Sequence, residues 1–388
     1  MSVTAAQGFL ASGVKAGLKA SGNHDLALVV NQGPIFTAAG VFTSNRFKAA
    51  PVLWSQQVLL DQELRAVVLN SGGANACTGP EGFADTHHTA EYVAAALSAL
   101  GSDIGAGEIA VCSTGLIGER LPMDKIRFGI DVATSELAQD GGSNAALAIM
   151  TTDSVPKKSE VVGAGYVIGG MAKGAGMLAP ALATMLVVIT TDAVVDAELA
   201  DQALRSATAL SFDRIDSDGC MSTNDTVLLL ASGASGIQPD SQEFTASLTA
   251  VCADLAQQLI HDAEGASKDI KITVEQATST SDALEVARAI SRSNLLKCAI
   301  HGEDPNWGRV LAAAGTTQAV FDPDQVDVSM NGVWICRNGG LGEDRSLVSL
   351  AGRQVDISVV LRAGEYEATV WTNDLTADYV HENSAYST

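Results

Sequence analysis

The run Lys173-Gly174-Ala175-Gly176-Met177-Leu178-Ala179-Pro180-Ala181-Leu182-Ala183-Thr184-Met185-Leu186 sets one hydroxyl, that of Thr184, where a loop of small residues gives way to an apolar strand. A threonine at a strand start is ordinary. It becomes a nucleophile if the peptide bond between Ala183 and Thr184 is strained. The Thr184 hydroxyl then attacks the Ala183 carbonyl, the resulting ester hydrolyses, and Thr184 is left as a new N-terminus. A free α-amine has a reference pKa of about 7.7–8.0, so it can act as general base for its own hydroxyl. Ala183 is small enough to leave room for that rearrangement.

Other patterns carry weaker chemistry. Ser71-Gly72-Gly73-Ala74-Asn75 follows a strand-like run, and Gly163-Ala164-Gly165-Tyr166-Val167-Ile168-Gly169 contains G-x-G, but neither completes G-x-G-x-x-G. Gly170-Met171-Ala172-Lys173-Gly174 lacks the G-K-[ST] of a phosphate loop, so tight turns are the better reading. The pair His87-His88 lies on a polar helix face with no ligand partner nearby in sequence. Six scattered cysteines (Cys77, Cys112, Cys220, Cys252, Cys298, Cys336) form no C-x-x-C. They read as reduced thiols in a cytoplasmic protein, not as a zinc site or a disulfide framework.

The elements that must position Thr184 are strands and helices in alternation. Strand-like runs fall at 26–30, 66–69, 109–112, 161–169, 185–191, 226–231, 270–274, 355–361 and 366–372, rich in β-branched residues and bounded by Gly or Asp. Helices are expected at 86–100, 135–147, 241–264 and 282–295. The third carries Phe244, Leu248, Val251, Leu255 and Leu259 at helical spacing, and the fourth has Ser281 or Asp282 as its cap. Without a strict βαβ rhythm, this mixture reads as α/β or α+β with mixed sheets. Asp304-Pro305-Asn306 is a candidate boundary before a strand-rich end.

Composition narrows the function classes. The 388 residues include 23 Lys and Arg against 45 Asp and Glu, a net charge of −22, with 47% hydrophobic residues. At about 100–200 residues per domain the chain holds two or three domains. An acidic chain is a poor phosphate-backbone binder, because counterion release needs clustered Lys and Arg. No apolar run approaches the roughly 20 residues of a membrane span, and residues 1–4 do not begin a signal peptide.

The residues around Thr184 closely resemble those of the ornithine acetyltransferases of arginine biosynthesis, the bifunctional glutamate N-acetyltransferases. The family pattern is a lysine-glycine-rich loop, a proline, and Ala183-Thr184-Met185-Leu186. Further matches are Asn70-Ser71-Gly72 through Gly79, Cys112-Ser113-Thr114-Gly115 through Gly118, and Met150-Thr151-Thr152-Asp153. Others are Ser222-Thr223-Asn224-Asp225-Thr226, Glu264-Gly265-Ala266-Ser267-Lys268, Asp304 through Arg309, and Asn383-Ser384-Ala385-Tyr386-Ser387-Thr388. Two places depart from the pattern. Asp216-Ser217-Asp218-Gly219-Cys220-Met221 stands where many members carry a Val-Asp-Gly-Asp-Thr-like run, and Ala181-Leu182 replaces the commoner Asn-Met.

The resemblance implies self-cleavage between Ala183 and Thr184 into an α chain, 1–183, and a β chain, 184–388. These would associate as α2β2 in the cytoplasm. Residues to about 280 of the β chain would complete the catalytic domain, and about 281–388 would form a smaller C-terminal α/β domain. It implies an N-terminal-nucleophile fold of the ornithine-acetyltransferase and aminopeptidase type. Thr184 would carry acetyl from N-acetylornithine to glutamate by ping-pong transfer, without a cofactor. Acetyl-coenzyme A would be a second donor in bifunctional members. Thr114 and Gly115 match the oxyanion hole, and Thr152, Lys173, Thr184, Glu264, Asn383 and Thr388 match substrate-binding positions. Without the resemblance Lys173 and Glu264 read as surface charges and the last residues as a frayed tail. The competing readings are an N-terminal-nucleophile amidohydrolase or aminopeptidase, with water as acceptor, and an unprocessed binding protein.

Overall fold

The computed structural model describes residues 2–179 and 185–385. The chain opens with β1 (Phe9–Val14), β2 (Leu26–Asn31), β3 (Ala38–Phe42), α1 (Ala50–Val58), β4 (Ala66–Ser71), α2 (Gly79–Ala99) and β5 (Ile109–Thr114). It continues through α3 (Met123–Ser135), α4 (Gly142–Ala148), β6 (Lys157–Val162), β7 (Val167–Lys173), β8 (Leu186–Thr191), α5 (Ala197–Leu210), β9 (Thr226–Ala231) and α6 (Ser241–His261). The remainder is β10 (Asp269–Ala277), α7 (Thr280–Ser291), α8 (Asn294–His301), α9 (Trp307–Ala314), β11 (Asp327–Met330), β12 (Val333–Arg337), β13 (Gly340–Leu341), β14 (Gln354–Val360), β15 (Tyr366–Asn373) and α10 (Ala377–Ala385).

Three mixed sheets result, ordered β1-β2-β4-β5, β3-β9-β8-β7-β6 and β13-β12-β11-β14-β10-β15. This is the mixed α/β architecture expected from the sequence. The first two sheets share a core, and β8 shows how. Leu186 and Val188 face the core built on the first sheet, whereas Val187 and Ile189 face one shared with α5 and α6. Strands buried on both faces lose polar alternation, so β2, β4, β8 and β9 read as plain apolar runs. The α6 stripe Phe244, Leu248, Val251, Leu255 and Leu259 is fully buried, and Asp240 caps the helix by accepting from the N–H groups of Gln242 and Glu243. No helix among the described residues is long and apolar enough to cross a membrane.

Several expectations need correction. Residues 161–169 are not one strand. They hold the turn between β6 and β7, closed by Gly163 N–H donating to the Tyr166 carbonyl at 2.9 Å. Residues 135–147 straddle the gap between α3 and α4, where Ala138 pairs with Ala11 of β1. The helix expected at 282–295 ends at Ser291. Its cap is Ser279, which accepts from Asp282 N–H, while Ser293 caps the next helix. The C-terminal sheet also begins earlier than residue 281, because β10 pairs with both β14 and β15. Asp304-Pro305-Asn306 lies between α8 and α9, two helices that share that sheet's core, and so is not a boundary.

Candidate active site

Strand pairing brings three chain segments to one place. β4 and β5 run parallel with Ser71 opposite Thr114, and β7 and β8 run antiparallel with Lys173 opposite Leu186. The glycine loop after β4 then folds over the end of β5. Gly72 and Gly73 both donate their N–H groups to the Thr114 carbonyl, at 2.9 and 3.0 Å. That approach fixes the next residue as glycine. Gly115 has φ of 134°, and a Cβ there would sit 2.5 Å from the Gly73 nitrogen. Among the described residues its own N–H has no hydrogen-bond partner.

Lys173 ends β7 and is buried, with its Nζ donating to Thr114 Oγ1 at 3.2 Å. The reading of Lys173 as a solvated surface charge is therefore wrong. Asp153 places it. The Asp153 carboxylate accepts from Thr151 N–H (2.9 Å), from Gly174 N–H (2.7 Å) and from Lys157 Nζ (2.6 Å). Lys157 also pairs with Asp262 at 2.6 Å. One carboxylate thus ties the loop carrying Thr152 to the residue after Lys173. Burial lowers the affinity of Lys173 for its proton, an effect Asp153 only partly offsets. Burial also works against ionisation of Asp153, but Lys173 and Lys157 overcome it and hold the carboxyl below its ordinary range.

Glu264 enters from the loop after α6. Its N–H donates to the Ala175 carbonyl at 2.9 Å, and its Oε2 accepts from Asn383 Nδ2 of α10, also at 2.9 Å. Gly176 lies against that carboxylate. The result is a cavity of about 360 Å³, within the usual size range for small-molecule sites. Thr114, Gly115, Thr152, Lys173, Glu264 and Asn383 all line it, with Leu116, Ile117 and Met177 as apolar wall. Ala183, Thr184 and Thr388 lie outside the described residues.

Residues 10–388 match the ArgJ family. The chain belongs to the ArgJ family. A protein of Streptomyces avermitilis named arginine biosynthesis bifunctional protein ArgJ is 66% identical over 387 residues, covering 100% of each chain. Its namesake in Thermobifida fusca is 62% identical over 388 residues, again covering 100% of both. A solved ornithine acetyltransferase from Mycobacterium tuberculosis, complexed with ornithine, is 60% identical. The match covers 48% of this chain and 96% of that one, with a TM-score of 0.44.

In this ArgJ chain the structure adds residues that the sequence did not single out. Asp153 and Asp225 both stand within matched motifs, and only their neighbours drew attention. Asp225 is fully buried just before β9, and its Oδ1 accepts from Met185 N–H at 3.1 Å. Burial pushes its carboxyl well above the ordinary range, against hydrogen bonds and Lys173 acting the other way. Beside it, Asn224 Nδ2 donates to the carbonyls of Ala74 and Ser113, at 2.6 and 2.8 Å. Asn224 and Asp225 therefore hold the end of β5 and the entry to β8 in register. An acid set directly before the apolar run of β9 was the available signal.

Proposed function

We propose that this chain transfers an acetyl group from N-acetyl-L-ornithine to L-glutamate in arginine biosynthesis, through an acetyl ester on Thr184. The observation that carries this reading is the convergence of Thr114, Gly115, Thr152, Lys173, Glu264 and Asn383 on one cavity. The chain enters β8, two residues after Thr184, opposite cavity-lining Lys173. Self-cleavage between Ala183 and Thr184 frees the α-amine that serves as base, giving chains 1–183 and 184–388. These assemble as α2β2 in the cytoplasm, the second chain running from a core part to a C-terminal domain. No cofactor is required, and acetyl-coenzyme A serves as an additional donor.

The half-reactions follow from the residues. The Thr184 hydroxyl oxygen attacks the acetyl carbonyl carbon while its proton passes to the α-amine. The carbonyl oxygen becomes an oxyanion, met by the Gly115 N–H and the Thr114 hydroxyl. Lys173 donates to Thr114 Oγ1, so the Thr114 hydroxyl proton is left to point at the oxyanion. Collapse breaks the C–N bond, and ornithine leaves with the proton held by the amine. The neutral α-amine of glutamate then attacks the ester carbonyl carbon, its proton passes through the Thr184 α-amine to the departing Thr184 oxygen, and the C–O bond breaks to restore the hydroxyl. Lys173 suits a substrate carboxylate and Glu264 a substrate amine; Thr152 and Thr388 complete the binding set.

Two measurements test this reading. Intact mass must show two chains with a new N-terminus at Thr184, and N-acetylornithine turnover must depend on glutamate and yield acetylglutamate. Acetate release without acetylglutamate would make the protein an amidohydrolase. A single uncleaved chain would remove the nucleophile.

A further inference from the structure

The loop 216–220 is fastened on one side to the third sheet and the helices packed on it. Asp216 N–H donates to the Trp371 carbonyl at 2.8 Å, and Asp216 Oδ2 accepts from Arg292 Nε at 2.7 Å. Ser217 Oγ donates to Asn373 Oδ1 at 2.8 Å, and the buried Lys297 Nζ donates to the Ser217 carbonyl. The other side of the loop grips the cavity wall. Ser217 N–H donates to the Leu178 carbonyl at 2.6 Å, and Asp218 Oδ2 accepts from Met177 N–H at 2.8 Å. The second Asp218 oxygen accepts from Cys220 N–H at 3.0 Å. The Tyr379 hydroxyl stands 3.5 Å from Asp218 Oδ2, on the same helix α10 that carries Asn383.

Met177 is held in an unusual state. Its φ is 53°, in the left-handed region that residues other than glycine seldom occupy and that persists where the surroundings over-determine it. Its side chain is 36% exposed and lines the cavity beside Ile117, 48% exposed. The same cavity is lined by two charged residues, Lys173 and Glu264. An amino acid with charged ends and a methylene chain between them needs an apolar surface for that chain.

We propose that Asp218 is a positioning residue for substrate: through the Met177 N–H it fixes Met177, with Ile117, as the apolar lip for the methylene chain of an acylated amino acid. The inference rests on the reading of this cavity as the acyl-transfer site. It gives the third sheet and its helices a part in binding, because Asp218 reaches the lip from a loop anchored to Trp371, Asn373 and Arg292.

Burial pushes the Asp218 carboxyl up to about 6, against its two backbone hydrogen bonds. The titratable groups facing it are Asp216 and the neutral Cys220 thiol of its own loop, Lys297 of α8, and the neutral Tyr379 phenol of α10. As pH rises through 6 the carboxylate forms, becomes the stronger acceptor for Met177 N–H, and the KM for N-acetylornithine falls. Asp218→Ala and Asp218→Asn, in the full-length protein, test the proposal with two readouts. Hydrogen exchange at the Met177 amide should rise in Asp218→Ala whatever the substrate. KM for N-acetylornithine should rise about tenfold, with kcat within about twofold and cleavage complete. Asp218→Asn, still able to accept, should give a smaller rise and a flat KM between pH 5 and 7. Faster exchange at Met177 with unchanged KM, or a KM profile in Asp218→Asn that still bends near pH 6, overturns it. Absence of glutamate-dependent turnover in the unaltered protein instead overturns the acyl-transfer reading, and the exchange result stands apart from that.

Discussion

Gly176→Ala separates binding from folding at Glu264. A Cβ at Gly176 would meet Glu264 Oε2 at 2.5 Å, Cδ at 2.7 Å and Oε1 at 2.8 Å, and no other atom stands nearer. Ordinary contact begins near 3.4 Å, so the carboxylate must retreat by about 1 Å. That retreat moves the carboxylate that accepts the 2.9 Å hydrogen bond from Asn383 Nδ2 and should weaken it. Gly176 is not in the left-handed region, so alanine itself brings no backbone strain, and replacing a flexible glycine contributes about 0.4–1 kcal/mol towards stability. A hydrogen bond to a charged group is worth about 1.5–3 kcal/mol. Displacing Glu264 from a substrate amine should therefore raise KM by roughly 10- to 100-fold, since 1.4 kcal/mol is about tenfold. The assay pairs steady-state kinetics, with N-acetylornithine and glutamate varied in turn, with thermal melting and intact mass. The expected outcome is a raised KM, a Tm equal to or above that of the unaltered protein, and normal cleavage. An unchanged KM in both Gly176→Ala and Glu264→Gln would refute the assignment of Glu264 to the substrate amine.

Thr114→Ala should lower kcat by about 10²- to 10³-fold, the usual effect of losing one oxyanion donor, with KM little changed; an equal fall in kcat/KM through KM alone would argue against the role. Asp153→Asn leaves Lys157 paired with Asp262 alone and removes the negative charge that draws Lys173; breaking a buried pair outright costs about 3–5 kcal/mol, and with Asp262 retained the loss should be smaller, read as a lower denaturant midpoint. Because the folded Asp153 carboxyl is held below its ordinary range, its contribution is present above that range and lost as pH falls through the folded value. The unaltered protein should therefore lose more stability than Asp153→Asn on acidification. Asp225 has the opposite sign: its folded carboxyl holds its proton more tightly than the unfolded one, so stability falls as pH rises from the ordinary carboxylate range towards the folded value. Asp225→Asn keeps an acceptor for Met185 N–H and should abolish that slope in Tm against pH; a variant with the unaltered protein's slope would show that Asp225 is ionised when folded.

The parts legible in the sequence were those governed by local pattern. Continuous apolar runs gave β2, β4, β8 and β9, and the α6 stripe gave its buried face. What failed depended on distant partners. Nothing near residue 138 announces its pairing with Ala11, although Asp140-Gly141-Gly142 is a turn signal at the break between α3 and α4. The short strand β3 owes its place to β9, which lies far along the chain. The site divides in the same way. Thr114 and Gly115 could be set at a strand end, whereas Lys173 looked like a solvated cation until Asp153 and Thr114 were seen around it.

That burial says what the charged cluster is for. A buried ion pair adds little net stability, because desolvation consumes much of the Coulombic gain, and Lys157, Asp153 and Asp262 already satisfy one another. Among the described residues Lys173 completes no close ion pair. It is drawn electrostatically to Asp153, yet its hydrogen bond goes to the hydroxyl of Thr114. A sequence selected only for stability would put an apolar side chain at the end of β7. Under the proposed function, a cation retained there, desolvated beside a cavity that Glu264 also lines, serves a ligand carrying a carboxylate and an amine. The same contact leaves the Thr114 hydroxyl proton to stabilise an oxyanion. Under that proposal binding and catalysis share one lysine, and substitution of Lys173 should raise KM and lower kcat together.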